Sequence, residues 1–226
     1  MKKLKGVEVQ EPEDVGRAWK GVKHYDLIQA LSSAAGKKGL LFVEHKIHLW
    51  YFDQRLCASV KVASEKASPD HPRQKWIGIE ASNRGDQLLK FYVGATVGDI
   101  PIIVDAFNGG KYTTGFILEQ EAERAITIWG SNVKDAFAEW DKLDDGKLNE
   151  LLLEYILVKC GRLKILPWSK LGTADKKIAA CGGKNKTMLD VYRGLAMTIG
   201  LTSGPKQMDN LHRLHKLTSA YVSVPV

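Results

Sequence analysis

The chain has 226 residues, 44% hydrophobic and 26% charged, and a net charge of +7, enough for one well-filled core or a core with an appended helical lobe. That composition excludes a disordered or fibrous chain, and no apolar run approaches the roughly 20 residues a membrane helix needs. The amino terminus, MKKLKGVEVQEPEDVG, has basic residues with no apolar stretch after them, so the expectation is a cytoplasmic protein with no membrane partner.

The charge is unevenly placed. Residues 119–159 carry 5 Lys and Arg against 10 Asp and Glu, whereas residues 160–226 carry 11 against 3. A basic last third suits a polyanionic partner, and a solvated basic face gives the same asymmetry. Cys57, Cys160 and Cys181 are far apart and form no C-x-x-C pair. They read as free buried thiols rather than as a metal site or a disulfide framework.

In chain order, the first 20 or so residues, with Pro12 and Gly16, read as a loose arm. His24 to Ala35 predicts a helix with Leu27, Ile28, Leu31 and Ala34 or Ala35 on one stripe. Leu40 to Phe52 predicts a long strand, and Arg55 to Ala63 its partner, with Leu56, Ala58, Val60 and Val62 inward and Lys61 outward. Ser64 to Arg73, SEKASPDHPR, is a polar, proline-marked linker. From Lys75 to Phe116 the pattern is a run of strands: Lys75-Trp76-Ile77-Gly78-Ile79-Glu80, a turn at Asn83-Arg84-Gly85-Asp86, a strand with Leu88, Lys90 and Tyr92 on one face, the apolar run Pro101-Ile102-Ile103-Val104, and a turn at Asn108-Gly109-Gly110.

Glu119 to Trp140 predicts one long helix, its first turns holding Glu119, Glu121 and Glu123 where the helix dipole favours negative charge. Asp145 caps a further helix that stops at Gly161. Arg162 to Gly172, RLKILPWSKLG, is a basic connection carrying an aromatic residue, and Lys176 to Lys186 a flexible basic segment. Thr187 and Asp190 open a helix that ends at Gly200, and Pro205 opens the last one, with Met208, Leu211, Leu214 and Leu217. The whole predicts an α+β fold: a twisted antiparallel sheet of about five strands packed by a long helix in 1–143, and a basic helical lobe in 144–226.

No catalytic or metal constellation stands out. His45 and His48 fall on opposite faces of a strand, and His212 and His215 share a helix face without a third ligand. Gly182-Gly183-Lys184-Asn185 is like the end of a P-loop, but Ile178 stands where the first Gly belongs and Asn185 where Ser or Thr would hold Mg²⁺. Asp70 and Glu80 have a metal-nuclease flavour, yet Ser82 stands where a Lys should follow. No cofactor is expected.

What remains is binding. Lys61, Arg73, Lys75, Arg84, Lys90 and Lys111 are spread over the strands and turns, with Trp76, Tyr92 and Tyr112 interleaved. Cations that track phosphates and rings that stack bases form the mixture that holds single-stranded nucleic acid.

The segments WKGVKHYDLIQAL at 19–31, IGIEASNRGDQLLKFYVGATV at 77–97, the IIVDAFNGG turn and TMLDVYRGLAMTIG at 187–200 resemble a phage- and plasmid-encoded family of unknown function, of the nine-three-two type. Ser82 to Asp86 stands for that family's Ser/His/Asp/Gly turn, Asp105 to Gly109 for its Cys-Asn turn and Tyr192-Arg193 for its Tyr-Asn; its Cys and His are absent. The order of elements is also similar to single-strand annealing recombination proteins of phage and eukaryotes. That resemblance implies ATP-independent annealing by a ring or filament of identical subunits, with no catalytic residue, in a phage-infected or plasmid-bearing bacterium. A protein-binding factor acting through the acidic 119–159 helices is the alternative, and a metal-dependent nuclease the third reading.

Overall fold

The β-branched and aromatic residues between Leu40 and Ser64 pair as an antiparallel hairpin. β1 (Leu40–Trp50) runs against β2 (Arg55–Ser64) from Leu40 opposite Ser64 to Trp50 opposite Arg55, with Val43 as an extra residue between Phe42 and Glu44. Asp53, at φ 64°, supplies the left-handed residue of the turn, a conformation Asp tolerates. The structure, a computed structural model, describes residues 21–50, 53–64, 73–84, 89–97, 100–113, 115–181, 186–201 and 206–222. The predicted arm, the body of the linker, Gly85-Asp86, Leu88, Gly182 to Asn185 and Pro205 lie outside the described residues.

β3 (Arg73–Ser82) pairs antiparallel with β2, and β4 (Lys90–Val97) and β5 (Ile100–Asn108) complete a five-stranded antiparallel sheet in sequence order. The fold is α+β, as the strand and helix periodicities predict. Leu56, Ala58, Val60 and Val62 are all buried, the face that alternation assigned inward. One expectation is corrected: β4 buries side chains on both faces, Tyr92 included, while Lys90 stays partly exposed. Phe91, Val93 and Ala95 are buried on one side and Tyr92 and Thr96 on the other.

Two compact units divide the chain: Met1–Ala95 with Asp105–Lys134, and Thr96–Val104 with Asp135–Val226. The division falls at 134/135 rather than 143, and residues 96–104 go with the second unit. In the first unit, α1 (His24–Gly36) buries Leu27, Ile28, Leu31, Ala34 and Ala35, the predicted stripe. Asn83 lies in the predicted turn after β3, and its side chain is also a buried clamp: it accepts from the Val22 N–H at 3.0 Å and donates to the Val22 carbonyl at 2.9 Å.

The predicted 119–140 helix is broken. α2 (Leu118–Asn132) gives way to a 3₁₀ turn at Val133–Asp135, and α3 (Ala136–Asp145) follows. Gly130, Ser131 and Asn132 are weak helix formers, Ser131 bonds back to the Thr127 carbonyl, and Asn132 donates to Asp105 Oδ2 at 2.5 Å. The acidic start of α2 is structural: Glu121 pairs with Arg124 at 2.6 Å and Glu123 with Lys37 at 2.5 Å.

In the second unit α4 (Glu150–Arg162) starts at Asn149, whose side chain accepts from the Leu152 N–H at 2.8 Å; the N-cap is therefore Asn149 and not Asp145. Lys176 to Cys181, the first part of the segment expected to be flexible, belongs to α5 (Leu171–Cys181), which buries Ala174 and Ile178. α6 (Met188–Leu201) opens on the predicted reciprocal cap, Thr187 N–H to Asp190 Oδ2 at 3.0 Å and Asp190 N–H to Thr187 Oγ at 3.4 Å. α7 (Gln207–Val222) buries Met208, Leu211, Leu214 and Leu217. Gly194 lets α5 and α6 meet: a Cβ there would lie 2.6 Å from the Ile178 backbone nitrogen.

Candidate nucleic-acid interface

The three aromatic residues assigned to base stacking are core residues. Trp76 is 2% exposed; its indole N–H donates to Ser59 Oγ at 2.6 Å, and its carbonyl accepts from the Trp129 indole at 2.9 Å. Tyr92 is fully buried and donates to Glu80 Oε2 at 2.8 Å. Tyr112 is buried edge-on against Phe116, and burial, then the charge of Glu121, push its hydroxyl well above the ordinary phenol range. Tyr and Trp carry an apolar body with a polar handle, so a strand pattern cannot tell a satisfied core ring from an open one.

The cations of the sheet are split between its two faces. Lys61 lies opposite Trp76 and Val62 opposite Lys75, and cross-strand partners project together, so Lys61 and Lys75 point to opposite sides. Lys61 pairs with Glu44 at 2.6 Å, and Lys90 sits 5.0 Å from the Tyr92 ring. Arg84 and Lys111 are exposed. The Arg73 side chain lies outside the described residues.

A different surface, in the second unit, combines an open ring with clustered positive charge. α4 ends in a Schellman motif: the Lys164 N–H bonds to the Gly161 carbonyl at 3.1 Å and the Ile165 N–H to the Cys160 carbonyl at 2.9 Å, with Ile165 and Cys160 both buried. The left-handed residue, where Gly is usual, is Lys164 at φ 55°. The chain then turns through Pro167 into a 3₁₀ turn, Trp168–Lys170. The Trp168 ring lies against Gly161, where a Cβ would come within 2.9 Å of it, and is still 58% exposed. Arg162, Lys164 and Lys170 are exposed around this turn, and the Arg213 guanidinium donates to the Leu163 carbonyl at the end of α4. Composition marked this connection as basic and aromatic. The signal that singles it out is the glycine seven residues before the tryptophan, which only the folded turn brings under the ring.

One cluster has the residue types of a hydrolase triad, and its geometry argues against that chemistry. Ser219 Oγ lies 3.4 Å from both ring nitrogens of His215 and 3.4 Å from Glu139 Oε2. An oxygen equidistant from both nitrogens sits beside the ring edge, out of line with either lone pair. Burial holds the His215 imidazole down to about 4, and Glu139 is shared with Lys142. Among the described residues no group of three or more His, Cys, Asp or Glu converges as a metal site requires. Burial pushes the Cys57 thiol up, and that of Cys160 up to about 12, while Cys181 is partly exposed. No helix of the described residues is long and apolar enough to cross a membrane.

Compared with protein-family models, curated proteins and solved structures, the chain finds no match.

Proposed function

We propose that the protein binds single-stranded nucleic acid and pairs complementary strands without ATP, as the phage-type annealing reading of its sequence anticipates. The observation that carries this is Trp168: an indole seated on Gly161 and more than half exposed, in a segment whose Arg162, Lys164 and Lys170 are also exposed. A base stacks on the open ring while the cations neutralise neighbouring phosphates. Titration of a labelled single-stranded oligonucleotide tests it. Trp168→Ala weakens binding by roughly 5- to 150-fold, the equivalent of about 1–3 kcal/mol for one stacked base, while Trp168→Phe retains most of it. Equal affinities for wild type and Trp168→Ala overturn the assignment.

The alternative, a protein-binding factor, is favoured by one feature of α4. Leu151, Tyr155 and Val158 recur at helical spacing and are 78%, 41% and 39% exposed. The purified protein's ratio of absorbance at 260 and 280 nm separates the two readings, since only a nucleic-acid binder co-purifies with its ligand.

A further inference from the structure

β1 is a long strand on the rim of the sheet, and its sequence is self-complementary when read in reverse. It has 11 residues, about twice the usual length of a strand, and among the described residues its only sheet neighbour is β2. None of its residues is buried, and Leu41 and Val43 are 45% and 38% exposed. The outer rim of such a strand is a row of backbone donors and acceptors suited to pairing with another strand.

We propose that a second copy of this chain pairs with β1 through its own β1, antiparallel about a two-fold axis at His45. Glu44 then faces Lys46 of the second copy, and Lys46 faces its Glu44. Both residues project to the side that carries Lys61 and Ser59 of β2, because Glu44 lies opposite Lys61 and Lys46 opposite Ser59. Past the axis, the extra residue Val43 shifts the ladder by one and keeps the faces in step. Phe42 meets Ile47, and Leu40 meets Leu49, each pair apolar and half-exposed in the single chain.

Neighbouring registers are penalised. A slip that moves the axis to Lys46 opposes two lysines, and one that moves it to Glu44 opposes two glutamates. A two-fold contact uses the same patch on both partners, and a strand that reads alike in both directions meets that condition. The pairing is independent of the nucleic-acid reading, since it uses neither Trp168 nor the cations near it.

Sedimentation of the full chain at concentrations up to about 100 µM tests the pairing. The wild type, 25.1 kDa per chain, sediments as a dimer. Glu44→Lys and Lys46→Glu each place like charges across the axis and sediment as monomers. An equimolar mixture of the two variants restores the dimer, because each then supplies the charge the other lacks. Circular dichroism confirms that both variants keep the wild-type secondary structure. A monomeric wild type, single variants that remain dimeric, or folded variants that fail to pair on mixing would each overturn the proposal.

Discussion

Lys164 occupies a backbone conformation that glycine holds at lower cost, and its side chain points a cation into solvent at the end of α4. A left-handed non-glycine residue costs about 1 kcal/mol. Lys164→Gly is therefore expected to raise the urea midpoint by about that free energy while weakening oligonucleotide binding, and paired denaturation and binding measurements check both signs. His24 and His215 make the opposite kind of prediction. Burial lowers both folded-state values from 6.5 to about 4, so between those pH values the unfolded chain binds more protons than the folded one. Stability is complete above about pH 6.5 and falls by about 3 kcal/mol per histidine as the pH drops through the window. Urea midpoints measured from pH 7 to pH 4 follow this fall, and His24→Leu is expected to make it shallower. At this scale the sequence is only partly legible. The inward set Leu56, Ala58, Val60 and Val62 follows from alternation, but the fate of Trp76 and Tyr92 depends on partners, Ser59 and Glu80, that only the sheet register supplies.

Helix α6 shows how closely two elements can pack when one residue lacks a side chain. At Gly194 an added methyl would meet both the side chain and the backbone of Ile178, at 2.5 Å and 2.6 Å, and a backbone cannot rotate away. Gly194→Ala is expected to cost about 1–3 kcal/mol, read as a lowered thermal midpoint, whereas Gly172→Ala, at a position with open space, costs much less. The Thr187 and Asp190 cap was readable because its chemistry is local. The end of α2 was not: apolar spacing runs on from Trp129 through Val133 and Trp140, and the break depends on the reach of Asn132 to Asp105, 27 residues away in sequence. α5 was hidden for a similar reason, since the glycine pair after it outweighed the short Ala174 and Ile178 stripe.

Across the whole chain, net charge gives a measurable handle. Each cation that contacts a single-stranded phosphate contributes roughly 0.7 to the slope of log affinity against log salt. Replacing Arg162, Lys164 and Lys170 together with glutamine is expected to lower that slope by about 2, while the same change at Lys61, Lys75 and Lys90, which are split between the two faces of the sheet, leaves it nearly intact. The interleaving of cations and rings is real in the sequence, but its placement on the sheet did not survive folding, because strands buried on both sides take up the rings. The threading of the two units has a practical result for anyone cutting the gene. The helical unit recruits residues 96–104 from the middle of the strand region, and the Tyr192 hydroxyl donates to the Pro101 carbonyl at 2.7 Å. A fragment begun at Asp135 would leave that phenol unanswered in an apolar interior, so truncation there is expected to yield an insoluble or molten product. A piece carrying residues 96–104 along with the helices is the sensible minimal one.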